Sequence, residues 1–286
     1  MKNFYKTNIA TFASLSILTL AVPTFATAQG WETAIEGGLW ATSRSSTDTT
    51  ISEDPFYGAY IGGYARRDIN QLRFTIDGRI EMMSDKGIND TYDTGPVHTG
   101  VLGLHLGREF GPTYVGAYAA FGKFDGYAES YPMDGYTIGL EAEHQINSRS
   151  SVFGQLGYLE AIGDPDDNEF KGPSARIGYR NQFSDRLGAM FTLDWGYSSD
   201  CFVDCGDEPG EYFGAGIEMD YALNDRLDLV GSIQHLRIED YDDGDTGTDT
   251  SVYVGVRWNF GNPGRKNTLS TPITGFKAAG WMEPLD

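Results

Sequence analysis

Charged residues stand at alternate positions over long stretches of this sequence. Residues 71–82 set Arg73, Asp77, Arg79 and Glu81 between Leu72, Phe74, Ile76 and Ile80. The same spacing puts Glu141 and Glu143 on one face. It sets Arg176 and Arg180 opposite Ile177 and Tyr179, Asp194 opposite Leu193 and Trp195, Glu218 and Asp220 opposite Ile217 and Met219, and Arg257 opposite Val256 and Trp258. Carboxylates so placed could act as general acid and base, but Glu141 and Glu143 share one face of one strand, which the period alone explains. The histidines His98, His105, His144 and His235 all fall in strand-like segments, and no flanking Ser pattern supplies a nucleophile. The acidic runs 240–245 and 164–169 miss the D-x-D-x-D-G spacing of a calcium loop. The chemistry that suits the alternating charges is electrostatic. Opposed charges lining a narrow passage sort solutes by charge and dipole. No catalytic residue, metal or cofactor is called for.

A period of two is the signature of a β-strand with one apolar and one polar face. Twelve such segments are expected, near residues 31–42, 56–66, 71–83, 97–107, 113–124, 134–146, 150–162, 173–184, 187–198, 211–223, 227–239 and 250–260. Within the eleventh, Leu227 and Leu229 differ in parity from Leu236 and Ile238, which predicts a bulge. Connections alternate between short and long. Two of the short ones are near-repeats, Phe183-Ser-Asp-Arg-Leu187 and Leu223-Asn-Asp-Arg-Leu227. The long ones, around 43–55, 84–96, 125–133, 163–172, 199–210 and 240–249, are polar and acidic.

The N-terminus carries Lys2 and Lys6, then an apolar stretch from Ile9 to Val22, then Ala26-Thr-Ala28. This is the three-part pattern of a secretory signal peptide, with cleavage expected after residue 28. In an exported chain the two cysteines, Cys201 and Cys205, read as one disulfide across a small loop. The formal net charge of −20, from 21 basic and 41 acidic residues, excludes a nucleic-acid partner. The mean hydropathy of −0.36 excludes helical membrane spans beyond the leader.

A strand array with one apolar face can bury that face in a soluble sandwich or turn it to lipid. In lipid it must close, because open edges cannot exist in hydrocarbon. Closure explains the short turns at one end and long loops at the other, and aromatics near strand ends. Trp40, Tyr57, Tyr114, Phe124, Tyr136, Trp195, Tyr197, Tyr212, Trp258 and Phe260 are expected to form the two interfacial girdles. The expected fold is therefore all-β: a single closed antiparallel transmembrane β-barrel over residues 29–260, with about twelve strands, short periplasmic turns and long acidic extracellular loops. Its polar face would line the lumen with Arg73, Asp77, Arg79, Glu81, Glu141, Glu143, Arg176, Arg180, Asp194, Glu218, Asp220 and Arg257.

Residues 252–260, Val-Tyr-Val-Gly-Val-Arg-Trp-Asn-Phe, resemble the closing strand of Gram-negative outer-membrane barrels of the porin-like kind. The resemblance implies that Val256, Trp258 and Phe260 form the signal read by the barrel-assembly machinery. It also implies the cell outer membrane as location, with lipid and lipopolysaccharide as surroundings, and it admits a homo-oligomer. Such barrels usually end at the Phe, whereas this chain continues to Asp286. Gly261-Asn-Pro-Gly breaks any strand, and residues 261–286 are expected to be a flexible periplasmic extension. The alternative docks Phe276, Trp281 and Met282 at the rim or in the lumen, where Arg265, Lys266 and Lys277 would meet acids. Passive, porin-like passage of small hydrophilic solutes with a slight cation preference is the expected function. The alternatives are a non-conducting structural or adhesive barrel acting through its acidic loops, and an outer-membrane lipid hydrolase.

Overall fold

The computed structural model describes residues 30–47, 56–83, 98–125, 132–162, 169–198, 209–240, 246–260 and 269–282. They form twelve strands: β1 (Trp31–Ser46), β2 (Phe56–Ile69), β3 (Leu72–Met83), β4 (His98–Phe110), β5 (Thr113–Asp125), β6 (Pro132–Asn147), β7 (Ser150–Ile162), β8 (Glu169–Gln182), β9 (Leu187–Ser198), β10 (Gly210–Ala222), β11 (Leu227–Asp240) and β12 (Thr246–Phe260). Among the described residues one helix follows, α1 (Ile273–Met282). Each strand pairs antiparallel with its sequence neighbours, and β1 pairs with β12 from Thr33–Phe260 to Ser46–Gly247, so the sheet closes on itself. Closure leaves no backbone edge to satisfy, which is what a lipid surround demands.

The turns explain the short connections. Asn70 between β2 and β3 has φ 58°, and Gly111 between β4 and β5 has φ 62°. Asn and Gly are the residues that take this left-handed backbone at least cost. The two near-repeats make one turn twice. Ser184 Oγ accepts from the Arg186 and Leu187 amides at 3.3 and 3.1 Å. Asn224 Oδ1 accepts from the Arg226 and Leu227 amides at 2.9 and 3.1 Å. A short polar side chain at that position mimics a backbone acceptor and closes the hairpin. At the other end β1, β6, β8 and β12 run clearly further than their periodicity predicts, reaching Ser46, Pro132, Glu169 and Thr246. The long connections lie outside the described residues, as do residues 1–29.

Alternation sorts the side chains. Leu39, Leu102, Leu140, Leu156, Ile177, Val254 and others stand exposed on the outer surface, where acyl chains would cover them. No described helix is long and apolar enough to cross a membrane; this chain crosses with strands. The bulge expected in β11 is absent. Its register to β10 and β12 advances residue by residue, from Leu227–Trp258 to Glu239–Thr246. The parity change is instead a change of environment: Leu236 and Ile238 face inward and are buried. Among the described residues the strand register shifts only in β6, between Gln145 and Asn147.

Candidate functional site

The interior is a lattice of paired charges. All twelve residues expected to line the lumen lie on the inward parity of their strands. Arg73, Asp77, Glu81, Glu141, Glu143, Arg180, Asp194 and Asp220 are buried, and Arg79, Arg176, Glu218 and Arg257 partly so. Towards the short-turn end Arg73 reaches Glu143 at 3.4 Å and also bonds Glu109, while its guanidinium lies 4.6 Å from the Tyr114 ring. On the β8–β10 wall Arg180 pairs with Asp220 at 2.5 Å and Arg176 with Asp194 at 2.7 Å. Arg257 bridges Glu36 and Glu218 at 2.6 and 2.7 Å. Arg79 bonds Glu81 at 2.7 Å and stacks over the Tyr60 and Tyr253 rings. Three of these pairs join neighbouring strands, Arg79–Glu81 lies within β3, and Arg73–Glu143, Arg180–Asp220 and Arg257–Glu218 reach over at least one intervening strand, so opposite charges are matched at close range around the inner wall.

His105 is a member of this lattice that parity alone would have found. It is buried, with Nδ1 at 2.8 Å from Glu141 and Nε2 at 3.1 Å from Asp77. Glu141 also accepts from the Tyr114 hydroxyl at 2.9 Å and from Gln155 at 3.1 Å. A carboxylate so saturated is held in place as an acceptor, not poised as a base. Among the described residues no group of three or more His, Cys, Asp and Glu is arranged to hold a metal ion. His144 sits outside the lumen, beside the Thr113 hydroxyl.

Three expected girdle residues belong to the interior. Trp40, Tyr114 and Tyr212 are buried because their parity is inward, whereas Tyr57, Tyr136, Trp195 and Trp258 are exposed on the outer face. Val256, Trp258 and Phe260 take the outward parity of β12, with Val256 and Trp258 exposed and the Trp258 and Phe260 rings stacked at 5.8 Å. Cys201 and Cys205 lie outside the described residues.

Within the tail, residues 269–282 do not form the flexible periplasmic extension expected of residues 261–286. Residues 269–282 lie inside the barrel, ending in α1. Pro272 stands immediately before the helix, where a missing amide proton costs nothing. Asp77 accepts from the Thr271 amide at 2.7 Å and from its hydroxyl at 2.9 Å, and the Ser270 carbonyl accepts from Gln155 at 3.2 Å. Leu269 packs with Tyr114 and Phe153. Ile273, Phe276 and Ala278 join Val101, Ala120, Leu159, Ala161, Phe170, Tyr212, Leu236 and Ile238 in one buried apolar cluster. Lys277 pairs with Glu81 at 2.7 Å. The side chains of Trp281 and Met282, with Arg265 and Lys266, are outside the described set.

Space remains on the short-turn side of this segment. A cavity of about 160 Å³ is walled by Glu36, Tyr60, Arg79, Arg176, Glu218 and Arg257, and capped by Ser270, Thr271 and Ile273. Nearer the rim a vestibule of about 590 Å³ is lined by Arg149, Arg180, Asp185, Arg186 and Asp228 among others.

A closed antiparallel barrel with an apolar exterior and a charged interior defines an outer-membrane β-barrel protein. The family described as outer membrane protein beta-barrel domain matches residues 107–260, and the chain belongs to that family. The outer membrane is accordingly its location. No curated protein matches it. Among solved structures it is similar to the toluene transporter TodX of Pseudomonas putida, at 11% identity and TM-score 0.44, covering 90% of this chain and 94% of that one. It is also similar to the KdgM porin, at 9% identity and TM-score 0.47, covering 78% and 99%. The translocator domain of the autotransporter NalP from Neisseria meningitidis is similar at 12% identity and TM-score 0.47, covering 81% and 88%.

Proposed function

We propose that this protein is a porin-like channel through which small hydrophilic solutes diffuse passively, without turnover chemistry. The observation that supports this reading best is the cavity of about 160 Å³ among Glu36, Arg79, Arg176, Glu218 and Arg257, which opens a charged space in the middle of the barrel. A barrel meant to be solid fills its interior with interlocking side chains. Here acids outnumber bases among the twelve lining residues, so a slight cation preference follows when the lumen is open. Export by a cleaved signal peptide at residues 1–28, lipid and lipopolysaccharide as surroundings, and small solutes as cargo belong to the same reading. The position of the tail favours a second one, a non-conducting structural or adhesive barrel. A lipid hydrolase is less favoured, because His105 is enclosed by two carboxylates inside the barrel.

Single-channel recording of the refolded protein in planar bilayers separates the first two readings. Discrete current steps are expected, at least from a chain lacking residues 261–286. That truncation leaves the β1–β12 seam intact, since the seam ends at Phe260. Silence both with and without residues 261–286 would sink the channel. We further propose that Val256, Trp258 and Phe260 are the assembly signal. Phe260→Ala is then expected to lower the folded, heat-modifiable fraction in outer-membrane extracts while leaving export unchanged. Equal folded fractions would remove Phe260 from that role.

A further inference from the structure

The helix α1 does not lie along one wall; it crosses the lumen. Phe276 is fully buried against the β5–β6 hairpin. The next residue, Lys277, reaches Glu81 on β3, and its ammonium lies 5.1 Å from the Tyr253 ring on β12. The same helix packs on β7, β9, β10 and β11. In a twelve-stranded ring β5 and β6 stand opposite β11 and β12, so the segment joins facing walls at one level.

The seat of Phe276 is specific. Gly122 and Gly135 are direct cross-strand partners on the inward parity of β5 and β6. A Cβ on Gly122 would stand 2.7 Å from the Phe276 ring, and one on Gly135 would stand 3.0 Å from it. Two facing positions without side chains leave a flat slot, and the ring fills it. Around the slot the inward residues change from charged to apolar: Val101, Leu159, Phe170 and Ile238 join the cluster that holds Phe276. An apolar zone inside a charged lumen has no use for a hydrated solute, and bare to water it would be costly. Covered by the tail, it accounts for both features.

We infer that the Gly122–Gly135 slot is a receptor for the ring of Phe276, and that the C-terminal helix seated there is an autoinhibitory plug that holds the channel closed. The inference rests on the channel reading above. The plug is part of the same chain, and its first described residue, Leu269, packs with Tyr114 and Phe153 towards the short-turn end, where β12 finishes. Closing therefore needs no partner, and opening needs the Phe276 ring to leave its slot and Lys277 to leave Glu81. Lys277 adds directional registry, because its ammonium meets Glu81 only when Phe276 is home.

The test uses full-length protein in planar bilayers, with three variants. Phe276→Ala removes the ring. Gly122→Leu fills the slot from the barrel side. Phe121→Ala alters an exposed residue on the lipid face and serves as the control. Heat-modifiable migration verifies that each barrel has folded. The wild type and Phe121→Ala are expected to be mostly closed. Phe276→Ala and Gly122→Leu are each expected to shift the open-to-closed ratio by roughly tenfold or more towards open. If the wild type conducts steadily at the level of both slot variants, the plug is overturned and the channel stands. If all four folded proteins are silent while the chain lacking residues 261–286 conducts, the Gly122–Gly135 slot is overturned as the element that holds the channel closed; if that chain is silent too, the channel reading falls and the plug with it.

Discussion

Asp194→Leu is expected to destabilise the folded barrel by about 3–5 kcal/mol. Asp194 Oδ1 accepts from Arg176 Nε at 2.7 Å and Oδ2 from Nη2 at 3.5 Å, and both partners are largely shielded from solvent. Removing the carboxylate strands a guanidinium that has no other ion pair among the described residues. The penalty for an uncompensated buried charge exceeds the worth of the pair itself. The expected effect lies towards the low end of the range, because Arg176 also borders the mid-lumen cavity. The double variant Arg176→Leu with Asp194→Leu should recover most of the loss, since it removes the stranded charge as well as the pair. Denaturant unfolding in lipid vesicles measures all three differences. A single variant within about 0.5 kcal/mol of the wild type, the margin of an ordinary surface change, would mean that the lumen is wet enough to solvate Arg176 freely.

Alternation carried most of this architecture into the sequence. A run such as residues 71–82 has one solution in which Arg73, Asp77, Arg79 and Glu81 face together, and the structure turns all four inward. The turn chemistry was equally local, as the paired Ser184 and Asn224 turns show. What escaped the sequence was set by distance along the chain. The fold of residues 269–282 depends on a cradle assembled from β4, β5, β7, β8, β10 and β11. Nothing in Thr271-Pro-Ile-Thr-Gly-Phe276 announces such a cradle, and a helix this short gains little from its own propensity. One trace of it was visible. Leu236 and Ile238 broke the parity set by Leu227 and Leu229, and a bulge was the local explanation. The cause lay elsewhere: those side chains face the helix that returns into the lumen. Trp40 and Tyr212 teach the same lesson, since nearness to a strand end does not decide which face an aromatic takes. Parity does.

Leu140→Arg is expected to cost about 2–4 kcal/mol of folding stability in a bilayer, the range for Arg at the midplane of a lipid-facing strand. Leu140 is 68% exposed on the outer surface, and its register partners are Ala117 on β5 and Leu156 on β7. It lies near the middle of β6, which spans Pro132–Asn147. By position alone it resembles any exposed surface residue, and in a water-soluble barrel such a change would fall within about 0.5 kcal/mol of neutral. The predicted cost comes entirely from the solvent outside the barrel. Its depth dependence is the sharper expectation: Tyr136→Arg, nearer the long-loop end of the same strand, should cost about 1 kcal/mol or less. A flat profile along β6 would contradict the assignment of this face to lipid. A peak at Leu140 ties the apolar alternation of the sequence to the medium that selects it.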